Sequence, residues 1–247
     1  MQEQTLKGKV VLVTGAGSGL GAATARAFAQ RGCPVACADL NTQAVEQVCN
    51  SLIAQGMSSL ALTCDIRKAE DVSGTVQQTI ERLGRLDIIV NCAAIDHTFS
   101  VEEMSIEQWD QVIDVNLRGP FLVAKAAWPV MKQQQSGHII NISSTAALRS
   151  WGNTSAYHAS KRGLIGFSQG LGVEGRAHGI RVTTIIPGGM RTHFFDRFVD
   201  QGIPMPDPAQ LQAPETVAEA IVFATQVPAE SAVQEMLITP FTETSWP

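Results

Sequence analysis

Tyr157 and Lys161 stand four residues apart in the run Tyr157-His158-Ala159-Ser160-Lys161, and Tyr157 is the only tyrosine among 247 residues. On a helix, positions i and i+4 lie on one face, one turn apart. A phenol and an ammonium held there can act as an acid/base unit, because the cation favours the phenolate. An ordinary tyrosine titrates near ~10, so bringing it to neutral pH takes roughly 4 kcal/mol of electrostatic work. One lysine supplies part of that, and a second positive charge nearby would supply more. The alternative is a surface tyrosine beside a solvated lysine, and the rest of the chain has to decide between the two.

A second run with chemistry is Thr14-Gly15-Ala16-Gly17-Ser18-Gly19-Leu20-Gly21, which joins an apolar stretch to an amphipathic one. Glycines let a backbone turn tightly and approach a pyrophosphate, whose charge a helix N-terminus stabilises. Asp39 ends the next β-rich run. Its carboxylate can accept hydrogen bonds from the adenosine ribose hydroxyls and would repel a 2′-phosphate. No arginine or lysine lies in the loop or directly after Asp39, so the pattern favours NAD over NADP. Asp65 follows the third β-rich run and either meets the adenine amino group or caps its own loop.

The elements that must position these residues alternate short β-rich runs with longer amphipathic stretches, the signature of parallel βαβ units. Strands are expected over 9–14, 34–39, 59–63, 87–91, 138–143, 181–186 and 236–238, and helices over 21–31, 42–55, 68–83, 106–133, 157–177 and 214–225. Ser105 and Gln108 make a capping box for the fourth helix. No linker or repeat divides the chain, so residues 1–247 read as one domain. A net charge of −5 without basic runs, and sparse aromatics, argue against a nucleic-acid surface. The apolar runs are far shorter than a bilayer span, and the N-terminus has no signal-peptide pattern. Five cysteines without a CxxC pair point to free thiols in a reduced cytoplasm and to no metal site.

Taken together, Thr14-Gly-x-x-x-Gly19-x-Gly21, Asn116, Ser144, Tyr157-x-x-x-Lys161 and Pro187-Gly188 resemble the short-chain dehydrogenase/reductase family, in order and spacing, over residues 7–192. The resemblance implies an α/β, Rossmann-type doubly wound fold with a seven-stranded, mostly parallel sheet and helices on both faces. It implies Tyr157 as the acid/base that exchanges a proton with the substrate oxygen and Lys161 as the group that lowers its pKa and binds the nicotinamide ribose. Ser144, rather than its neighbour Ser143, would hydrogen-bond the reacting oxygen, and Asn116 would anchor a proton-relay water. The cofactor would lie along Gly15, Gly17, Ser18, Gly19, Leu20, Gly21 and Asp39, then Asp65, Ile66, Asn91 and Ala93. Pro187, Gly188 and Thr192 would fix its nicotinamide. The implied chemistry is reversible hydride transfer between a small secondary alcohol and a ketone. Two departures stand out: Asn91-Cys92-Ala93-Ala94 where the family shows Asn-Asn-Ala-Gly, and Leu237-Ile238-Thr239-Pro240 where it shows Asp-Gly-Gly.

Segment 192–213 holds three prolines and three phenylalanines that no regular element claims, which marks it as a substrate lid. Ala146, Trp151, His193, Phe194 and Phe198 are the leading substrate-pocket candidates, with Asp96, His97, Leu148, Arg149, Met190 and Phe195 as further ones. Gly163, Gly166 and Gly170 recur at i, i+3 and i+7, a strip that would let a second copy approach and form a homo-oligomer, dimer or tetramer. Two other functions compete. A non-catalytic NAD-sensing protein would keep the glycine loop and Asp39 without needing Ser144, Tyr157 and Lys161. A 3-oxoacyl-carrier-protein reductase would generally prefer NADPH, against Asp39.

Overall fold

The computed structural model describes residues 5–228 and 230–243. Its strands are β1 (Val11–Thr14), β2 (Val35–Asp39), β3 (Ser59–Thr63), β4 (Ile88–Asn91), β5 (Gly137–Ile142), β6 (Ile180–Pro187) and β7 (Glu235–Ile238). They form one sheet in the order β3-β2-β1-β4-β5-β6-β7, and every neighbouring pair is parallel. The long helices are α1 (Gly19–Ala29), α2 (Thr42–Ala54), α3 (Ala69–Leu83), α4 (Ile106–Ile113), α5 (Gly119–Gln134), α6 (Ser155–Gly175) and, after the short α7 (Asp196–Asp200), α8 (Pro214–Gln226).

Continuous apolar runs make strands that are buried on both faces. Val11 and Val13 pack with α1 and α8 residues such as Phe28 and Ile221 on one side. Leu12, between them, packs with Val76, Leu122 and Met131 on the other. β1 sits between β2 and β4, so the chain reverses its winding direction there. The crevice outside the strand C-termini at such a reversal is where doubly wound sheets bind ligands. Thr14, Asp39, Asn91, Ser144 and Pro187 all end or follow strands at this one edge.

The expected helix over 106–133 is three pieces. Its capping box is present, with the Ser105 hydroxyl accepting from the Gln108 amide and the Gln108 side chain reaching back. After α4 comes a π-helical stretch, Asp114–Arg118, before α5 resumes. The reason lies at Pro120, whose missing N–H cannot bond the Asn116 carbonyl; Gly119 instead donates to Asp114, five residues back. Such bulges recur at functional sites, and this one turns Asn116 fully inward.

Segment 192–213 is more ordered than its composition suggests. Thr192 caps a 3-10 turn, His193–Phe195, which runs into α7, and a second 3-10 turn spans Pro208–Gln210. Its two feet are tied, with the Arg191 amide donating to Gln212 O (2.9 Å) and the Gln212 amide to Gly189 O (3.0 Å). The three-glycine strip is corrected as well. A Cβ on Gly163 would meet Leu117 of the same chain at 3.1 Å, whereas Gly166 and Gly170 face open space. Leu117 belongs to the π-helical stretch, which packs against α6.

Candidate active site

Tyr157 lies in the first turn of α6 and Lys161 one turn on, as their spacing requires. The Ser144 hydroxyl accepts from the Ala146 amide at 3.1 Å and stands near enough to the phenol to favour its ionised form. Strand alternation separates the two serines: the Ser143 hydroxyl donates to the Lys161 carbonyl at 2.9 Å. Lys161 is 2% exposed. Its Nζ donates to the Ile142 carbonyl at 2.8 Å and stands 5.6 Å from the centre of the phenol ring.

The electrostatics correct one expectation. Burial raises the Tyr157 pKa well above its ordinary value, and the Ser144 hydrogen bond only partly opposes this; Asp96 adds to the rise and Arg197 subtracts from it. Burial also pushes Lys161 down, to about 8. Lys161 is not among the groups that act on the phenol's pKa in the chain alone, where desolvation is the largest influence.

The lowered lysine bears on stability. Between its folded value of about 8 and its ordinary value of 10.5, the unfolded chain binds a proton that the folded chain does not, so stability rises with pH. This contribution is complete above the ordinary value and is lost as pH falls through about 8. Lys161→Met should flatten the rise in Tm across that window, measured by thermal melts of both proteins. Equal slopes would contradict the lysine's burial.

Asn116 is clamped. Its Oδ1 accepts from the Ile95 amide (2.9 Å), and its Nδ2 donates to the Ile95 carbonyl (2.8 Å) and the Ser160 hydroxyl (3.1 Å). It thus ties the loop after β4 to α6 from behind the cleft. Asn91 is also behind it, donating to Asn141 at 2.8 Å, which in turn donates to Ser168 at 2.8 Å. Asn91 thus braces β4 against β5 and does not line the cleft, where the resemblance would have put it.

A cleft of about 590 Å³ runs along the C-terminal edge of the sheet. Gly15, Ser18, Gly19, Leu20, Gly21 and Asp39 line it, as do Ser144, Tyr157, Lys161, Pro187, Gly188 and Thr192. Asp65, Ile66 and Ala93 also face it. The loop fits a dinucleotide. Gly15 has a φ of +67°, and a Cβ there would lie 2.7 Å from the Ala93 backbone. Ser18 makes no side-chain cap and the first turn of α1 holds no acid, so its amides are open to an anion. Gly17 donates its amide to Asp39 Oδ2 at 2.8 Å and Asn41 donates to Oδ1 at 2.9 Å. That fixes the carboxylate and leaves each oxygen a further lone pair.

Of the two readings of Asp65, the loop cap is the one built. Its carboxylate takes a two-pronged ion pair from Arg67 (both 2.8 Å) and accepts the Arg67 amide at 3.1 Å, and Arg67 holds its pKa below the ordinary value. Arg67 itself lines the cleft, a cation that the search around Asp39 missed although the Asp65-x-Arg67 spacing was visible.

At the substrate end the candidates divide. Trp151, Met190, Phe194 and Phe195 line the cleft, and the Phe194 ring centre is 5.4 Å from that of Tyr157. Three candidates do not line it. Ala146 is buried behind, its carbonyl accepting from His158 Nδ1 at 2.6 Å. His193 points outward, paired with Asp196 at 2.9 Å. Phe198 packs under Phe195 at 5.4 Å. His97 bonds Gln111 at 2.8 Å, and Arg149 pairs with Glu243. Sequence reasoning missed Arg197, which joins Asp96 at 2.7 Å; nothing local connects residues so far apart in the chain.

Comparison with known proteins adds four findings. Residues 9–201 match the family model described as short chain dehydrogenase. The chain is 38% identical to a D-threitol dehydrogenase of Mycolicibacterium smegmatis, covering 74% of this chain and 70% of that one. It is 35% identical to a 3-oxoacyl-[acyl-carrier-protein] reductase of Synechocystis, over 92% and 93% of the two chains. Among solved structures, an alcohol dehydrogenase from the archaeon Thermococcus sibiricus, complexed with 5-hydroxy-NADP, superposes with a TM-score of 0.87 at 25% identity, over 97% of this chain and 99% of that one.

Proposed function

This chain belongs to the short-chain dehydrogenase family, and we propose that within it the protein is an NAD-dependent oxidoreductase that interconverts a neutral secondary alcohol and its ketone. The observation that carries the reading is Ser144, Tyr157 and a buried Lys161 lining one cleft, together with a glycine cradle closed by Asp39. A dinucleotide-sensing protein without chemistry would have no use for the first of these.

In this reading Gly15 and residues 18–21 hold the pyrophosphate and Asp39 holds the adenosine ribose. Ile66 and Ala93 flank the adenosine half, and Pro187, Gly188 and Thr192 hold the carboxamide end. Nicotinamide, when bound, supplies the hydride acceptor or donor and a positive charge. Ser144 orients the substrate oxygen by a hydrogen bond, and Tyr157 takes its proton in oxidation or returns it in reduction. Lys161, with one N–H engaged by Ile142, keeps two for ribose hydroxyls. Asn116 positions the β4 loop against α6. Trp151, Phe194 and Phe195 offer an apolar wall suited to a ring or alkyl group. We assign 192–213 as the lid of a single domain and take the open glycines of α6 as the approach for a second copy. Five free thiols suit a reducing cytoplasm.

NAD is preferred over NADP on the strength of Asp39, fixed by two amides and facing the cleft. Carboxylate–phosphate repulsion of roughly 2 kcal/mol would favour NAD by about tenfold or more in kcat/KM. A panel of secondary alcohols and ketones, followed by nicotinamide absorbance with both cofactors, tests this. Equal or better use of NADPH across the active substrates would sink the preference.

A further inference from the structure

We propose that Asp96 and Arg197 form a latch that holds segment 192–213 shut over the cleft and sets Phe194 against Tyr157, which makes Arg197 a positioning residue. Its effect on turnover rests on the function proposed above; the latch itself is a property of the fold. Arg197, on α7, reaches back 101 residues, its Nη2 donating to Asp96 Oδ2 at 2.7 Å. Its Nε donates to the Thr98 hydroxyl at 3.2 Å and its Nη1 to the Phe194 carbonyl. Gln201, one turn further on, donates to the Thr98 carbonyl at 3.3 Å. The lid thus meets the β4 loop at residues 96–98, and its feet are tied separately through Gln212. A segment pinned at its feet and bonded at its tip is arranged to swing.

The same guanidinium covers the Phe194 ring at 4.3 Å and the Phe198 ring at 5.0 Å, within range for cation–π attraction. Phe194 is therefore held between Arg197 and the Tyr157 ring, and releasing Arg197 releases the wall of the reacting site. The Asp96 side chain is 1% exposed, yet its Oδ1 finds no donor among the described residues. A buried ion pair bonded through one oxygen contributes little net stability, because desolving the charges offsets their attraction. That is a poor design for a permanent staple and a suitable one for a contact made on closure and broken on opening.

Chymotrypsin, which cuts after Phe194, Phe195 and Phe198 once they are accessible, reads the latch on the full chain without any substrate. Asp96→Asn and Arg197→Gln should each speed cleavage at these sites by about tenfold, the size of one charge-assisted hydrogen bond, with NAD affinity unchanged. With an active alcohol, KM should rise about tenfold while kcat falls less. Wild-type cleavage rates in both variants would overturn the latch. If Arg197→Gln fails to fold because Asp96 is left buried and unpaired, the double variant carries no buried charge at the latch and decides: fast cleavage supports the latch, and wild-type cleavage rejects it. Fast cleavage in a protein that oxidises no alcohol would keep the latch and reject the proposed function.

Discussion

Tyr157→Phe is expected to lower kcat by roughly 10²–10⁴-fold, the usual range for a lost general acid/base, while NAD still binds with nearly its original affinity. The substitution removes one hydroxyl and keeps the ring. The 5.4 Å packing on Phe194 therefore survives, and only the hydroxyl beside Ser144 is lost. The substitution leaves the glycine cradle and Asp39 untouched, so cofactor titration by fluorescence should report little change. Steady-state nicotinamide absorbance reads the rate. Since this is the only tyrosine, a phenolate absorbance band in the wild type has one source and should vanish in the variant. In the chain alone that phenol is raised rather than lowered, so any neutral-pH phenolate should appear only with oxidised cofactor bound. Full turnover by Tyr157→Phe would overturn the assignment of the proton-exchanging group.

The parts legible in the sequence are those with a local physical signature. Apolar runs of strand length between amphipathic stretches gave the seven strands in place and their parallel sense, and burial on both faces explains why those runs lack alternation. The glycine loop and Asp39 were readable because a strand, a tight turn and a helix N-terminus are contiguous in the chain. The π-helical stretch was not read, although Pro120 carries its cause: a missing N–H predicts a defect one turn upstream, not its type. Residues that depend on which way a loop faces fared worst. Ala146, His193 and Phe198 were as plausible as Trp151 and Phe194 until the 3-10 turn at His193–Phe195 sent one side chain outward and the next inward. Gly163 was misjudged because its neighbour, Leu117, comes from a distant segment. The Asp96–Arg197 pair was invisible for the same reason, since tertiary ion pairs leave no local pattern.

Gly21→Ala should remove most of the cofactor affinity and lower Tm at the same time. A Cβ at this position would lie 2.0 Å from the Gly15 carbonyl oxygen and 2.6 Å from its carbon. Both are backbone atoms, so no side chain can swing aside, and either α1 or the turn before it has to move. Gly15 has little room to give way, because even a Cβ added to it would lie 2.7 Å from the Ala93 backbone. Overpacking of this kind costs about 1–3 kcal/mol, equal to roughly 5–150-fold in binding if it falls on the cradle. It should fall there, because the displaced amides at the start of α1 are those that would face the pyrophosphate. Isothermal titration with NAD and a melt of the apoprotein separate the two effects, and Tyr157→Phe serves as the control that loses rate but not affinity. Wild-type affinity in Gly21→Ala would mean that the dinucleotide does not lie against this turn.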